Sequence, residues 1–400
     1  MKVLVTDGEN RAALAVTRSL GRRGCGVIVT GKEPASISAC SKFCGKAFMA
    51  PDPLNDGAAY SRAIAEIAAV EHVDVIFPMT EQSIYCLNKA RAELGDGVIL
   101  ACAPPEKMEA VSNKYKLFRL AEKLGVAVPK TVYVEGAEDF PGKKALVAGF
   151  PVVVKPAFSK MAVGERIVTG GVMYAADPAE LTRLYETRPI LRYPSLIQEL
   201  IVGQGTGLFT LYDMDRHLAL FSHRRLLEKP PSGGVSVLSE SIPLDGGMVE
   251  AAGKLLAEVR WPGVAMVEFK RDVRDGKAKL MEINGRLWGS LQLAVSSGVD
   301  FPALCLDYYL GKKPDSLLYD YRVGFRLKWF FGILDHLVIR LKKGSRASEL
   351  HTDTPPLWRA IWELLKIGGA DTSFDVFESR DLMPFVSEAK AYVRNVVAGH

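Results

Sequence analysis

Between Gly263 and Ser290 the chain reads GVAMVEFKRDVRDGKAKLMEINGRLWGS, and this stretch constrains the fold more than any other. Two apolar runs each carry a carboxylate, Glu268 in VAMVEFK and Glu282 in KLMEINGR. Side chains alternate along a strand, so Glu282 and Asn284 share one face while Met281 and Ile283 take the other. Asp275-Gly276 between the runs predicts an antiparallel turn. Such a hairpin presents two carboxylates and an amide oxygen to one spot. Oxygen donors of this kind suit Mg²⁺, which also keeps phosphate oxygens and water among its ligands. The competing reading is a plain hairpin with two exposed acids. It is the weaker one, because both acids sit inside apolar runs where an unpaired charge is costly.

The chain before this hairpin alternates strands with helices. KVLVT (2–6) reads as a buried strand, 10–23 as a helix ended by Gly24 and Gly26, and VIVTG (27–31) as the next strand. A helix over 58–70, a strand over 73–78, a helix over 80–94 and a strand over 98–102 continue the rhythm. That alternation predicts a parallel sheet with helices on its faces, an α/β domain over 1–104. The first turn, TDGENRAA, lacks the GxGxxG dinucleotide fingerprint, and no acid ends the second strand. Thr80-Glu81 follows a strand, so Glu81 is either a ligand contact or the first-turn acid of a helix capped by Thr80.

At 400 residues, with 48% hydrophobic and 24% charged side chains, the chain suits a globular protein of two or three domains. A net charge of +5 is compatible with a nucleotide or anionic substrate and does not argue for nucleic acid. The start of the chain does not read as a signal peptide, and no run is long enough to span a membrane, so a cytoplasmic location is expected. Six cysteines form neither a CxxC pair nor a zinc-type cluster and read as reduced thiols.

Past Pro104-Pro105, residues 108–124 read as one amphipathic helix carrying Lys114 and Lys116. In FPVVVKPAFSK, Lys155 ends a β-branched run, placing it either in a cleft or in solvent at a strand end. Ser159 and Lys160 open a loop, 157–171, that could lie over phosphates. SLIQELI (195–201) reads as a strand whose free backbone groups can meet the edge of an adenine ring. A hairpin over 206–226 ends in His223, Arg224 and Arg225 before the loop KPPSGGVSVLSES, where arginines suit a carboxylate or phosphate or simply face solvent. Beyond a linker at 311–314, residues 322–343 mix basic and aromatic residues. They read either as a membrane or protein contact or, preferably, as a cover over the protein's own core. Trp358, Ile361, Trp362, Leu364 and Leu365 mark a second short helix in this tail.

The ordered set (Lys114, Lys155, QELI, Glu268 in VEFK, Glu282 and Asn284 in EINGR) resembles the ATP-grasp superfamily of ATP-dependent ligases over about residues 1–310. The resemblance implies a Rossmann-like N-terminal domain (1–104) and a two-lobed α+β ATP-grasp domain (105–310; small lobe about 115–190, metal-binding lobe about 191–310). A helical, basic and aromatic C-terminal extension (311–400) would follow. It implies that Lys114 and Lys155 contact ATP phosphates and that Gln198, Glu199, Leu200 and Ile201 line the adenine edge. Glu268, Glu282 and Asn284 would hold Mg²⁺, with Mn²⁺ as an alternative, and Arg286 would stabilise a phosphorylated intermediate. Relatives carry a ribose-binding glutamate after the hinge; here Gln204 is the candidate. Contacts from Ser159 or Lys160 to the nucleotide are further expectations, although this loop lacks the dense glycines of many relatives. The HRR element, with Arg224 and Arg225 as candidate catalytic residues, and the PPSGGVS loop resemble those of ATP-grasp proteins described as carboxylate–amine ligases. The implied activity joins a small-molecule carboxylate to an amine at the expense of ATP. The alternatives are a carboxyphosphate-forming carboxylase and a non-catalytic ATP-binding assembly protein. A homodimer is compatible with any of these.

Overall fold

The computed structural model describes residues 1–397 except 96, 159, 164–165, 232, 344–354 and 367, and for 160–163, 166–169 and 343 it describes the backbone alone. The first domain holds five parallel strands in the order Cys44–Met49, Gly26–Gly31, Lys2–Val5, Val75–Phe77, Ile99–Leu100. Alternation along Lys2–Val5 sends Leu4 to the core shared with the Gly57–Glu71 helix, and Val3 and Val5 to the core shared with Arg11–Arg22. Cys44–Met49 has no counterpart among the predicted strands. It is an edge strand, mostly exposed, and CGKAFM therefore carries little apolar pattern.

The helix expected over 108–124 is two helices, Pro105–Ser112 and Lys114–Lys123. Asn113 separates them, and its side-chain oxygen accepts from the Lys116 amide at 3.1 Å. A good N-cap here outweighs continuity of the apolar face. The break has a consequence for the site. It makes Lys114 the first residue of a helix whose amide donates to the Ala157 carbonyl at 2.8 Å, beside the end of the Lys155 strand.

The small lobe is a four-stranded antiparallel sheet in the order Met173–Ala175, Val152–Pro156, Ser195–Glu199, Thr131–Val134. Leu181 and Leu184 of the Pro178–Thr187 helix pack onto Val152, Val154 and Ile197. The large lobe is a seven-stranded sheet, Ala278–Asn284, Pro262–Arg271, Gly205–Asp213, Arg216–Lys229, Val235–Ser241, Arg326–Lys328, Thr372–Phe374. Its pairs are antiparallel except the last. The Asp275-Gly276 turn forms as expected, with Gly276 at a φ of +69°. Gly203 adopts a φ of +149°, and a Cβ there would stand 1.8 Å from the Arg271 carbonyl oxygen, so the chain can leave the hinge only with glycine at this point.

The tail is thus more than helical, because it supplies two strands to the large sheet. Phe331, Ile333 and Leu337 of the Phe330–Lys343 helix are buried, which accords with 322–343 covering the protein's own core. The tail also clasps the first domain. Arg18 is buried, pairs with Asp381 at 2.9 Å and donates to the Val376 carbonyl at 2.8 Å.

Candidate active site

A cleft of about 420 Å³ separates the small-lobe sheet from the large one. On its floor Glu268 and Glu282 stand directly opposite each other on paired strands. The Asn284 amide bridges them, its nitrogen 3.1 Å from Glu268 Oε1 and 3.0 Å from Glu282 Oε1. Rotating that amide by half a turn presents its oxygen to the same spot. Two carboxylates and an amide oxygen leave room for phosphate oxygens and water, so the donor chemistry fits Mg²⁺. Among the described residues no group of three His, Cys, Asp or Glu converges, so nothing here suits a metal that needs a fuller protein cage.

Cations surround this pair. Lys155 is 7% exposed, and its ammonium lies 5.5 Å from the centre of the Phe118 ring. Burial pulls its pKa from 10.5 down to about 8, against the opposing pull of Glu282. Lys114 Nζ is 3.5 Å from Glu282 Oε2. Arg225 bonds Glu268 directly and Glu228 at 3.2 Å. Burial pushes the Glu268 carboxyl up in spite of Arg225, whereas for Glu282 burial is outweighed by Lys114, Asn284 and Lys155, which hold it well down. A floor holding one firmly ionised carboxylate inside a ring of ammonium and guanidinium groups suits a polyanion accompanied by a divalent cation. Arg286 closes one side of the cleft, donating to Asn284 Oδ1 at 3.3 Å and to the Leu287 carbonyl at 3.2 Å.

Gln198, Glu199, Leu200 and Ile201 line the cleft at the hinge. The Glu199 side chain serves the hinge itself. Its carboxylate accepts from the Lys130 amide at 3.0 Å, Lys279 at 3.2 Å and Arg274 at 2.9 Å. Gln198 is 1% exposed, and its Oε1 is buried without a hydrogen-bond partner among the described residues.

A family model described as "ATP-grasp in the biosynthetic pathway with Ter operon" matches residues 225–331, the segment that holds the carboxylate floor. The L-amino acid ligase of Bacillus licheniformis superposes with a TM-score of 0.60 at 18% identity, over 78% of this chain and 74% of that one. The biotin carboxylase domain of Hydrogenobacter thermophilus 2-oxoglutarate carboxylase superposes with a TM-score of 0.63 at 17% identity, over 81% and 73%. The fold is ATP-grasp. A D-aspartate ligase of Enterococcus faecium (strain Aus0004) is 22% identical over 240 residues, 57% of this chain, and the alignment spans only 56% of that ligase.

In this ATP-grasp cleft several expected residues gather and others do not. Lys155, the four hinge residues, Glu268, Glu282, Asn284, Arg286 and Arg225 all line it, and Lys114 reaches it through Glu282. Arg224 does not. It turns to the opposite face of the sheet and pairs there with Glu240, 2.8 Å from its Nε. Strand alternation separates it from Arg225 and brings His223 to the Arg225 side instead. Gln204 also faces away, into a second cavity, where its amide donates to the Arg225 carbonyl at 3.3 Å. Ser159 and the Lys160 side chain lie outside the described residues. Glu81 is the first residue of a helix whose Thr80 cap accepts from the Ser83 amide at 3.1 Å, and it is not among the cleft residues.

Sequence reasoning missed Arg11, Glu228 and the role of Lys270. Arg11 begins the first helix and reaches the cleft from the N-terminal domain. Its guanidinium stacks 3.9 Å from the Trp329 ring centre and pairs with Asp375. The usable signal was its place just past the carboxyl end of a parallel strand. Lys270 was visible by period two from Glu268, and it donates to the Ile201 carbonyl at 3.4 Å.

Proposed function

We propose that this chain is an ATP-dependent carboxylate–amine ligase. The observation that carries the reading is the convergence of Lys114, Lys155, Glu268, Glu282, Asn284 and Arg286 on one cleft between two lobes. ATP would lie with its adenine against the backbone of Leu200 and Ile201 and its phosphates toward Lys155 and Lys114. Glu268, Glu282 and the Asn284 oxygen would hold Mg²⁺, which supplies charge neutralisation at the phosphates. The complex of the 2-oxoglutarate carboxylase domain with MgADP and bicarbonate supports a magnesium nucleotide in this fold.

A carboxylate is a poor electrophile toward an amine. Attack of a carboxylate oxygen on the γ-phosphorus breaks the bond to the bridging oxygen, releases ADP and yields an acyl phosphate. The amine nitrogen then attacks the acyl carbon, phosphate leaves, and the nitrogen gives up a proton. Lys155 and Lys114 neutralise charge as the phosphoryl group moves. Arg286, which lines the cleft beside Asn284, would meet the acyl phosphate oxygens. Closing the lobes keeps water from hydrolysing that intermediate.

The names of the D-aspartate ligase and the L-amino acid ligase support an amino acid as one substrate. The test incubates the protein with ATP, Mg²⁺ and a library of amino acids and small carboxylic acids, and measures ADP together with product mass. A pair of compounds giving ADP and a condensed product is the expected outcome. ADP release that requires bicarbonate and no amine would replace this reading with carboxyphosphate chemistry. No ADP with any pair would favour a non-catalytic ATP-binding protein.

A further inference from the structure

The tail carries a helix that is apolar on two faces, one of them exposed. In Leu357–Leu365, Trp358, Ile361, Trp362 and Leu365 recur at the spacing of a single helical stripe, and that stripe faces solvent. Trp358 is 68% exposed and Trp362 61%. The inward face carries Leu357, Ala360 and Leu364, packed with Ile333 and Leu337, and a buried carboxylate, Glu363. Glu363 is fixed by Lys328 at 2.9 Å and Arg326 at 3.1 Å. Lys328 is itself only 2% exposed and donates to the Glu363 backbone carbonyl at 2.8 Å. The packing of Leu357, Ala360 and Leu364 and this buried ion pair together set the rotation of the helix and leave the tryptophan stripe outward. The stripe is left over once the inward face is packed, and exposed apolar clusters of this kind mark interaction surfaces.

Leu341 of the neighbouring Phe330–Lys343 helix is also 68% exposed. The exposed charged residues described on the two helices, with the residue that ends the second, are Lys342, Arg359 and Lys366, all cations. Asp335, the acid of the longer helix, is paired with Lys229. A cationic rim around two tryptophans fits one partner best, a bilayer surface bearing anionic headgroups. Indole rings settle at the level of the headgroups, and each basic residue near such a surface adds attraction. Two copies set face to face would instead oppose like charges. No described helix is long and apolar enough to cross a membrane, so the contact is peripheral.

We propose that the Leu357–Leu365 helix docks the protein on anionic membrane surfaces through Trp358 and Trp362, with Lys342, Arg359 and Lys366 as its electrostatic rim. The apolar residues of 322–343, for which a core cover is the preferred reading and a membrane contact the lesser one, are largely turned inward, and the proposed contact lies on the following helix instead.

The test is sedimentation of the full chain with vesicles of phosphatidylcholine alone and of equal parts phosphatidylcholine and phosphatidylglycerol. Binding to the mixed vesicles, weakened by added salt, is the expected result. Trp358→Ala/Trp362→Ala should lower the partition coefficient about tenfold or more while leaving the melting temperature unchanged, since both rings are exposed. Lys342→Glu/Lys366→Glu provides a second variant that leaves the apolar stripe intact, and it should lose binding to the mixed vesicles. Absence of binding, equal binding to neutral vesicles, or binding that both variants retain would overturn the proposal. So would a chain that is dimeric without lipid and becomes monomeric in the tryptophan variant, which would assign this face to a second copy.

Discussion

Lys155→Met separates the cost of the cleft from its use. The wild-type ammonium is buried, and burial lowers its pKa from 10.5 to about 8. The unfolded chain holds this proton up to about pH 10.5, whereas the folded protein releases it near pH 8. Between those values the unfolded state binds more protons, so folded-state stability attributable to this group rises with pH across that window. Below pH 8 the full penalty applies. A shift of this size corresponds to roughly 3 kcal/mol. Methionine keeps an aliphatic stem of similar length against Phe118 without the charge. Part of the gain is offset because Glu282 loses one of its cations. The ligand-free variant should therefore be more stable than wild type at pH 7, by about 1–3 kcal/mol in chemical denaturation. The gap should close as the pH approaches 10, and calorimetric titration with MgATP should show binding lost. A variant destabilised like a truncated core residue, or one with the wild-type pH dependence, would refute the reasoning by making Lys155 a net structural support. Retained MgATP affinity would remove it from the phosphate site.

Glu282→Ala should lower ADP release by roughly a hundredfold or more, because the better ionised of the two floor carboxylates is gone; wild-type turnover in this variant would sink the metal assignment. Arg224→Ala should leave ADP release within about twofold of wild type, since this side chain pairs with Glu240 away from the cleft and Arg326 still pairs with Glu240 at 2.8 Å in its absence; a large loss would return it to the machinery. Arg18→Ala should cost about 3–5 kcal/mol in denaturant unfolding by leaving Asp381 buried against the first domain without its cation, and a change below about 1 kcal/mol would show that the tail is not anchored there. Gly203→Ala should destabilise by about 2 kcal/mol or more, read as a fall in melting temperature, because its Cβ meets the Arg271 carbonyl.

Features that depend on neighbours in sequence were legible there. Alternation in KLMEINGR already placed Glu282 and Asn284 on one face, and the structure sets them beside Glu268. The strand–helix rhythm of the first hundred residues gave the parallel sheet, and the β-branched run before Lys155 gave the strand that carries it. Two misplacements were local as well. Asn113 is a strong cap and marks the helix break, and period two separates Arg224 from Arg225. What sequence could not supply were partners remote along the chain. Arg11 reaches the cleft and stacks on Trp329, more than three hundred residues away, and Arg18 is neutralised by Asp381. The Leu357–Leu365 helix makes the same point: its apolar stripe is written in the sequence, but the inward packing of Leu357, Ala360 and Leu364 and the buried Lys328–Glu363 pair decide that the stripe points outward. Local spacing fixes which side chains share a face, whereas the side on which that face lies depends on charges and surfaces that only folding brings together.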